Sequence, residues 1–367
     1  MADRIRVGII GVQPGRSWGA VAHLPALAAL PGYEVTALSN TRQDSADAAA
    51  SAFGIRHAFD NHAALVTCAD VDLVAVTVKV PHHFELVTAA LNAGKHVYCE
   101  WPLGNGMEEA RSMAALAKER GVTAVIGLQA RVAPAVRYVA DLVRDGYVGE
   151  VLSTTLVGTA MNWGGEMNAP NAYTADKDNG VTVLTIPVSH SMDALCHVLG
   201  EVQSLSATTA LRRQHTTIVE TGETLPMTAE DQVAFSAQLE NDVVASVHYR
   251  GGLSRGTGLL WEINGSDGDM RVSGEGGHLQ IVDLRVEGAS RGDATIKPLP
   301  VPESYFGTAL REGTALNVAE FYLRLEQDLR NGTTTCPTFE DAVRRHRMIE
   351  AVETSAAEGR RTFPADF

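Results

Sequence analysis

The hydrophobic pattern of the first third alternates between short, mainly apolar stretches of strand length and stretches of helical period. Ile5–Ile10, Glu34–Ser39, Val71–Val78, His96–Trp101 and Thr123–Leu128 have strand length and apolar residues on both faces. Between them, Trp18–Leu30, Asp44–Phe53, His83–Ala93 and Met107–Arg120 carry helical spacing, with stops at Pro31-Gly32, Gly94 and Gly121. Such alternation predicts a parallel sheet covered on both sides. The pattern changes after about Gln129. A helix over Pro134–Arg144 leads into a strand at Val151–Val157, and from Ala207 to Val286 the strands alternate polar and apolar, as in VAFSAQLE and VVASVHYR. That is the pattern of an antiparallel sheet with one open face. Two helices, Asn317–Arg330 and Thr338–Ala357, close the chain; the second opens on a capping-box-like Thr338-x-x-Asp341 and stops at Gly359. Asn162–Asn179 and Gly288–Pro302 read as linker-like.

The expected fold class is therefore α/β. A doubly wound, Rossmann-type parallel sheet spans 1–129, and an α+β domain with a large, open-faced, mainly antiparallel sheet spans 130–367. The final helix, 338–357, could return to pack on the first domain.

Composition narrows the function classes. The 367 residues are 45% hydrophobic and 20% charged, an ordinary globular balance that excludes collagen, coiled coil and bulk disorder. Thirty basic residues against 44 acidic ones give a formal net charge of -14, with no Lys/Arg block. Direct nucleic-acid binding is not expected, although gene control through a protein partner stays open. Cys68, Cys99, Cys196 and Cys336 form no CxxC pair, and Met1–Val7 does not read as a signal peptide. The expectation is reduced thiols in a cytoplasmic protein, without a metal site. No apolar run reaches the ~18 residues that span a bilayer.

Candidate chemistry begins after the first strand, where the turn reads Gly8-Ile-Ile-Gly11-Val-Gln-Pro-Gly15-Arg-Ser-Trp-Gly19. A glycine turn between a strand and a helix N-terminus presents backbone N–H groups to a pyrophosphate. Gln13 stands where the second glycine of GxGxxG belongs, so the motif by itself is weak. Gly11, Val12, Gln13 and Trp18 are the candidate cofactor residues of this loop. The second strand ends Ser39-Asn40-Thr41-Arg42. An acid there would bind the ribose 2′-OH of NAD, whereas an arginine accommodates the 2′-phosphate of NADP. Ser39, Asn40 and Arg42 are thus expected at the ribose, with NADP favoured over NAD; Arg42 could equally be a solvated surface charge.

Gly94–Gly104, GKHVYCEWPLG, resembles the GKHV-x-x-EKP segment of the Gfo/Idh/MocA oxidoreductase family. VKVPHHFELVTAALNAG before it, and Gly180–Asp193 after it, match in order and spacing. The resemblance spans essentially the whole chain. It implies an NAD(P)-binding Rossmann domain followed by a substrate domain whose sheet makes a homodimer or homotetramer, and hydride transfer with a sugar, cyclitol or related polyol. It places Val78, Glu100, Trp101 and Gln129 beside the cofactor; His83, on the loop after the third strand, is a candidate contact to the cofactor ribose or the substrate, or equally a helix cap-region residue. In the family, the lysine of EKP acts next to a His-x-x-Asp pair, here His190 and Asp193, which helical spacing puts on one face. An imidazole can take the hydroxyl proton as the cofactor takes the hydride.

The lysine is absent, since Trp101 stands in its place and an indole carries no acid–base proton. Lys79, at the end of the third strand, is the candidate replacement amine, or a charge reaching solvent. Trp101, Asn162, Trp163 and His190 are the candidate sugar contacts, because Trp and amide groups suit a sugar's apolar face and hydroxyls. Each has a structural alternative: core aromatic, turn, or hydrogen-bonded helix-start histidine. The Trp at 101, with GVQPGRSWGAVAHLPAL, GLQARVAPAVRYVADLVRDGYVGEVLS and NGVTVLTIPVSHSMDALCHVLGE, resembles the family's branch of fungal galactose-gene repressors. That branch implies an alternative function, a catalytically silent NAD(P)-binding sensor with a regulatory protein partner.

Overall fold

In the computed structural model, which describes residues 4–367, the chain divides into two compact units. The first contains β1 (Ile5–Ile10), a π-helical turn at Gly19–His23 that runs into α1 (Leu24–Ala28), β2 (Tyr33–Ser39), α2 (Gln43–Phe53), β3 (His57–Phe59), α3 (His62–Thr67), β4 (Leu73–Val76), α4 (His83–Asn92), β5 (His96–Glu100), α5 (Met107–Arg120) and β6 (Ala124–Gly127). The six strands are parallel, in the order β3-β2-β1-β4-β5-β6. This is the doubly wound order, with its switch point between β1 and β4. β4 is buried along its whole length, as its continuous apolar run requires. β3 and α3 are additions to the expected elements; α3 is capped by Asn61, whose Oδ1 accepts from Ala64 N–H at 2.9 Å.

The second unit contains α6 (Pro134–Arg144), β7 (Val151–Thr159), β8 (Glu166–Met167), α7 (Ser189–Leu199), β9 (Val202–Ala210), β10 (His215–Ile218), β11 (Thr224–Pro226), β12 (Gln232–Leu239), β13 (Val244–Arg250), β14 (Leu259–Gly265), β15 (Asp269–Gly274), β16 (Arg285–Ala289) and β17 (Lys297–Pro298). Eight strands form one sheet in the order β17-β16-β15-β14-β7-β13-β12-β9. The β7–β13 pair is parallel and the other neighbours are antiparallel. Val233, Phe235, Val247 and Tyr249 face inward while Ser236, Ser246 and His248 face out, so the sheet is open on one side. The expected linker Asn162–Asn179 is more ordered than its composition suggested: β8 joins β10 and β11 in a three-stranded sheet, followed by short 3-10 turns. Likewise β17 pairs with β16 inside the expected linker Gly288–Pro302.

The division of the chain is not a single cut after residue 129. Phe306–Val343, with α8 (Thr314–Asn331), belongs to the first unit, and α9 (Phe339–Glu358) belongs to the second from Arg344 onward. The reason is aromatic. On α8, Tyr322 stacks on Tyr98 of β5 at 5.1 Å between ring centroids, and Phe321 meets the same ring edge-on at 4.8 Å. Beyond α8 the chain reaches the edge of the sheet, where Ile126 N–H of β6 donates to Pro337 O at 2.9 Å. An edge strand needs such cover. No helix among the described residues is long and apolar enough to cross a membrane.

Asp328 holds the turn that makes this return. Its buried carboxylate accepts from Thr333 Oγ1 at 2.7 Å, Thr335 N at 2.9 Å and Cys336 N at 2.9 Å. Burial pushes its pKa up, but these donors outweigh burial and hold it below the ordinary value. The contribution to stability is therefore present above the unfolded value of about 4 and is lost as pH falls through the folded one. Asp328→Ala strands several donors and is expected to lower unfolding stability by about 2–4 kcal/mol, read by urea denaturation at neutral pH.

Candidate functional site

At the end of β1 the backbone turns at Gly11 with φ +97°. A Cβ there would sit 2.5 Å from Val78 Cγ1, so glycine is required for the loop to pass this closely to the segment just beyond β4. Gly11 N–H donates to Ser39 O at 2.9 Å. Asn40 then clamps the next residue from both sides, its Oδ1 accepting from Val12 N–H at 3.1 Å and its Nδ2 donating to Val12 O at 2.8 Å. Ser17 Oγ accepts from Gln13 N–H at 2.8 Å. A Cβ on Gly19, where the helix starts, would lie 2.7 Å from Thr77 Oγ1.

The result is a cleft of about 440 Å³ at the carboxyl ends of β1, β2 and β4, lined by Gly11, Gln13, Ser39, Asn40, Thr41, Asp60, His62, Val78, His82 and Glu85, among others. Backbone close enough to touch, polar walls and a position at the switch point fit a dinucleotide. Trp18 Nε1 adds a buried donor with no acceptor among the described residues at the same helix start, as a ligand oxygen would satisfy.

Of the expected cofactor residues, Gly11, Gln13, Ser39, Asn40 and Val78 line this cleft, and Val12 is buried behind it. Arg42 is turned to solvent, its Nε donating to Asp44 Oδ1 at 3.0 Å. Among the described residues no Lys or Arg lines the cleft, whereas two carboxylates, Asp60 and Glu85, do. The sequence reasoning missed Asp60, His62, His82 and Glu85. The one local sign was Asn61 as a helix cap, since β3 is three residues long and shows no period.

Of the two readings open for His83, its contacts in this structure are those of an internal brace. Its Nδ1 lies 2.8 Å from Pro102 O and its Nε2 3.0 Å from Val78 O, with the ring buried. The two carbonyls favour a protonated ring, but burial is the larger effect and lowers its pKa. Glu100 and Gln129 are likewise taken up within the unit. Glu100 Oε1 accepts from His23 Nε2 at 2.8 Å, while Gln129 Nε2 donates to Glu100 Oε2 at 3.1 Å. Trp101 is buried, and its bond to Pro102 is cis. Lys79 is exposed, just ahead of a 3-10 turn at Val80–His82.

In the second unit His190 is the second residue of α7 and only 4% exposed. Asp193, one turn on, does not share a proton with it in the way the motif implied. Both of its oxygens are taken by Arg131, from Nε at 3.0 Å and Nη2 at 2.5 Å, and Arg345 Nε stands 3.8 Å away. Asp193 is completely buried, so the ion pair is what makes its burial tolerable. Trp163 is also corrected. The ring is 1% exposed and its Nε1 donates to Thr174 O at 2.9 Å, which makes it a core residue and not a sugar platform. Asn162 is half-buried; its carbonyl accepts from Gly252 N–H at 2.8 Å and its Oδ1 from Asn171 Nδ2 at 3.2 Å. Among the described residues no group of His, Cys, Asp and Glu is arranged to hold a metal.

Gly11→Ala should weaken NADH binding by about tenfold or more, because the loop must retreat from Val78 to admit the methyl group. Fluorescence titration against the unmodified protein measures it.

Two family profiles cover most of the chain. "Oxidoreductase family, NAD-binding Rossmann fold" matches residues 5–128, and "Gal80p, C-terminal domain" matches residues 134–274. The dehydrogenase aclE of Aspergillus oryzae is 30% identical over 99% of both chains. The galactose/lactose metabolism regulatory protein GAL80 of Kluyveromyces lactis is 28% identical over 76% of this chain and 66% of its own length. Two solved structures share the fold: a super-repressor mutant of Gal80p from Saccharomyces cerevisiae, with TM-score 0.89, 23% identity and 98% and 97% of the two chains covered, and levoglucosan dehydrogenase in complex with NADH and levoglucosan, with TM-score 0.85, 21% identity and 98% and 99% covered. An NAD-binding Rossmann domain, followed by a domain of the Gal80p type and aligned end to end with a dehydrogenase, makes this chain a member of the Gfo/Idh/MocA oxidoreductase family.

Proposed function

We propose that the chain is an NAD-dependent oxidoreductase acting on a CH–OH group of a sugar, cyclitol or related polyol. The observation that carries this reading is the Gly11 cleft, in a chain that aligns over its full length with a dehydrogenase. The bound dinucleotide supplies the hydride acceptor or donor. The chain's own work is to hold it and to manage a proton. Gly11, Ser39 and Asn40 shape the loop that receives it. His190 takes the hydroxyl proton, and Asp193 acts at one remove, fixing α7 through Arg131. Lys79 is the second candidate for proton transfer, since Trp101 cannot perform it. The sugar class is supported by the levoglucosan complex of the structural neighbour and by the galactose-linked relatives.

A second reading, a silent NAD-binding regulator with a protein partner, is favoured by Trp101 and by the Gal80p-type second domain. Both readings accommodate a homodimer or homotetramer through the open face of the eight-stranded sheet, where Leu152 and Val244 are exposed.

The test is absorbance at 340 nm with NAD and a panel of aldohexoses, 1,6-anhydrohexoses and cyclitols. Substrate-dependent NADH formation supports the enzyme, and binding of NADH with no turnover supports the regulator. Two outcomes are expected. First, NAD should bind at least about tenfold more tightly than NADP, because the 2′-phosphate would meet Asp60 and Glu85 while Arg42 stays with Asp44. Titration of the two nucleotides decides it. Second, His190→Ala should lower kcat by roughly 10²–10⁴ with little change in NADH affinity, as loss of a general base does; Lys79→Ala run beside it tells which residue carries the proton.

A further inference from the structure

Loops run over the surface because their backbone groups need water, yet Gly276–Gln280, between β15 and β16, is buried throughout. It is tied to the end of β7, where Gly277 N–H donates to Thr159 O at 2.9 Å, and a Cβ on Gly277 would lie 2.2 Å from that oxygen. A second tie reaches α7. Tyr249 Oη lies 2.7 Å from Ser191 Oγ, beside His190, and 3.1 Å from Gly277 O, so a relay of Ser191 to Tyr249 to Gly277 satisfies each hydroxyl once. The third tie goes to the loop that carries Asn162: Met161 N–H donates to His278 Nε2 at 3.3 Å. The buried loop thus joins the helix start bearing His190 to the candidate sugar loop, inside one unit.

That last bond sets the chemistry of His278. An Nε2 that accepts has no proton, so the neutral ring carries its proton on Nδ1. The ring is 5% exposed, and burial lowers its pKa to about 4. Nδ1 makes no hydrogen bond among the described residues and is not one of the enclosed unpaired atoms, so its N–H opens outward. A donor that opens outward from an otherwise buried ring is within reach of a ligand oxygen, in place of water. A neutral N–H suits an uncharged oxygen, a hydroxyl or carbonyl, more than a cation.

We propose that His278 is a substrate-binding residue that donates from Nδ1 to an oxygen of the sugar or polyol. This rests on the substrate class proposed above. The test uses the full chain, saturated with NAD and labelled with 15N in its imidazoles. At pH 7 the His278 resonance, assigned by its loss in His278→Gln, should show a protonated Nδ1 and a bare Nε2. At least one member of the panel of aldohexoses, 1,6-anhydrohexoses and cyclitols should shift the Nδ1–H signal. An Nε2–H tautomer, or a resonance that no member of the panel moves, overturns the proposal. For any sugar that turns over, His278→Gln should raise KM about 5–10-fold with kcat within about threefold and NADH affinity unchanged. A variant with a lowered Tm but unchanged KM would mark the histidine as structural and equally overturn it. If no sugar turns over, the enzyme reading fails by itself while the spectrum still decides His278.

Discussion

A carboxylate withdrawn from water has to be met by fixed donors, and two such carboxylates organise this protein. Glu100 ends β5 and is held by His23 and Gln129. Asp193 is completely buried on α7 and is held by Arg131. Glu100 lies where the family motif expects a cofactor-side residue and Asp193 where it expects a reacting group, and both are bound into the interior of their own units. The partners come from distant parts of the chain, so each pair fixes a strand end or a helix start against an element that could otherwise drift. Removing one partner would leave an uncompensated buried charge, which costs more than the pair contributes. The rigidity of the candidate site is in this sense a consequence of charge burial.

The same logic explains what the replacement of lysine by Trp101 permits. An ammonium at that strand end would need solvent or an anionic neighbour, whereas the indole is buried, and the next residue's carbonyl, Pro102 O, faces Nδ1 of the buried His83. The chain has kept the dinucleotide cleft and the histidine on α7 while closing the place of the missing amine. That combination suits an enzyme that moves its proton through His190, and it also suits a regulator that only binds.

Most of the architecture was legible in the sequence, because period and burial coincide there. Five of the six parallel strands carry apolar residues on both faces, and the open sheet shows its alternation directly. β3 was not legible: three residues have no period, and with it went Asp60 and His62. The allegiance of α8 was hidden for a different reason, since it depends on Tyr322 and Phe321 meeting Tyr98 from more than two hundred residues away. In the site, Gly11, Gln13, Ser39, Asn40 and Val78 were found because they belong to local strand–turn patterns. Asp193 was read as a reacting group because motif spacing reports which face a residue is on, not what already occupies that face, and Trp163 was read as a sugar contact from its residue type, which says nothing of burial. Arg131 and Asp193 are 62 residues apart, and a buried loop such as Gly276–Gln280 has no sequence pattern to betray it.

The central claim is that this chain transfers a hydride. Its most direct test is to incubate the protein with NADH deuterated at one or the other face of nicotinamide C4 and with the keto or lactone forms of the sugar panel, then to weigh the product. The account predicts a single deuterium on the new carbinol carbon, from one face and not the other. Product-free mixtures with NADH bound and unconsumed would contradict it and leave a protein that reads the nucleotide without using it.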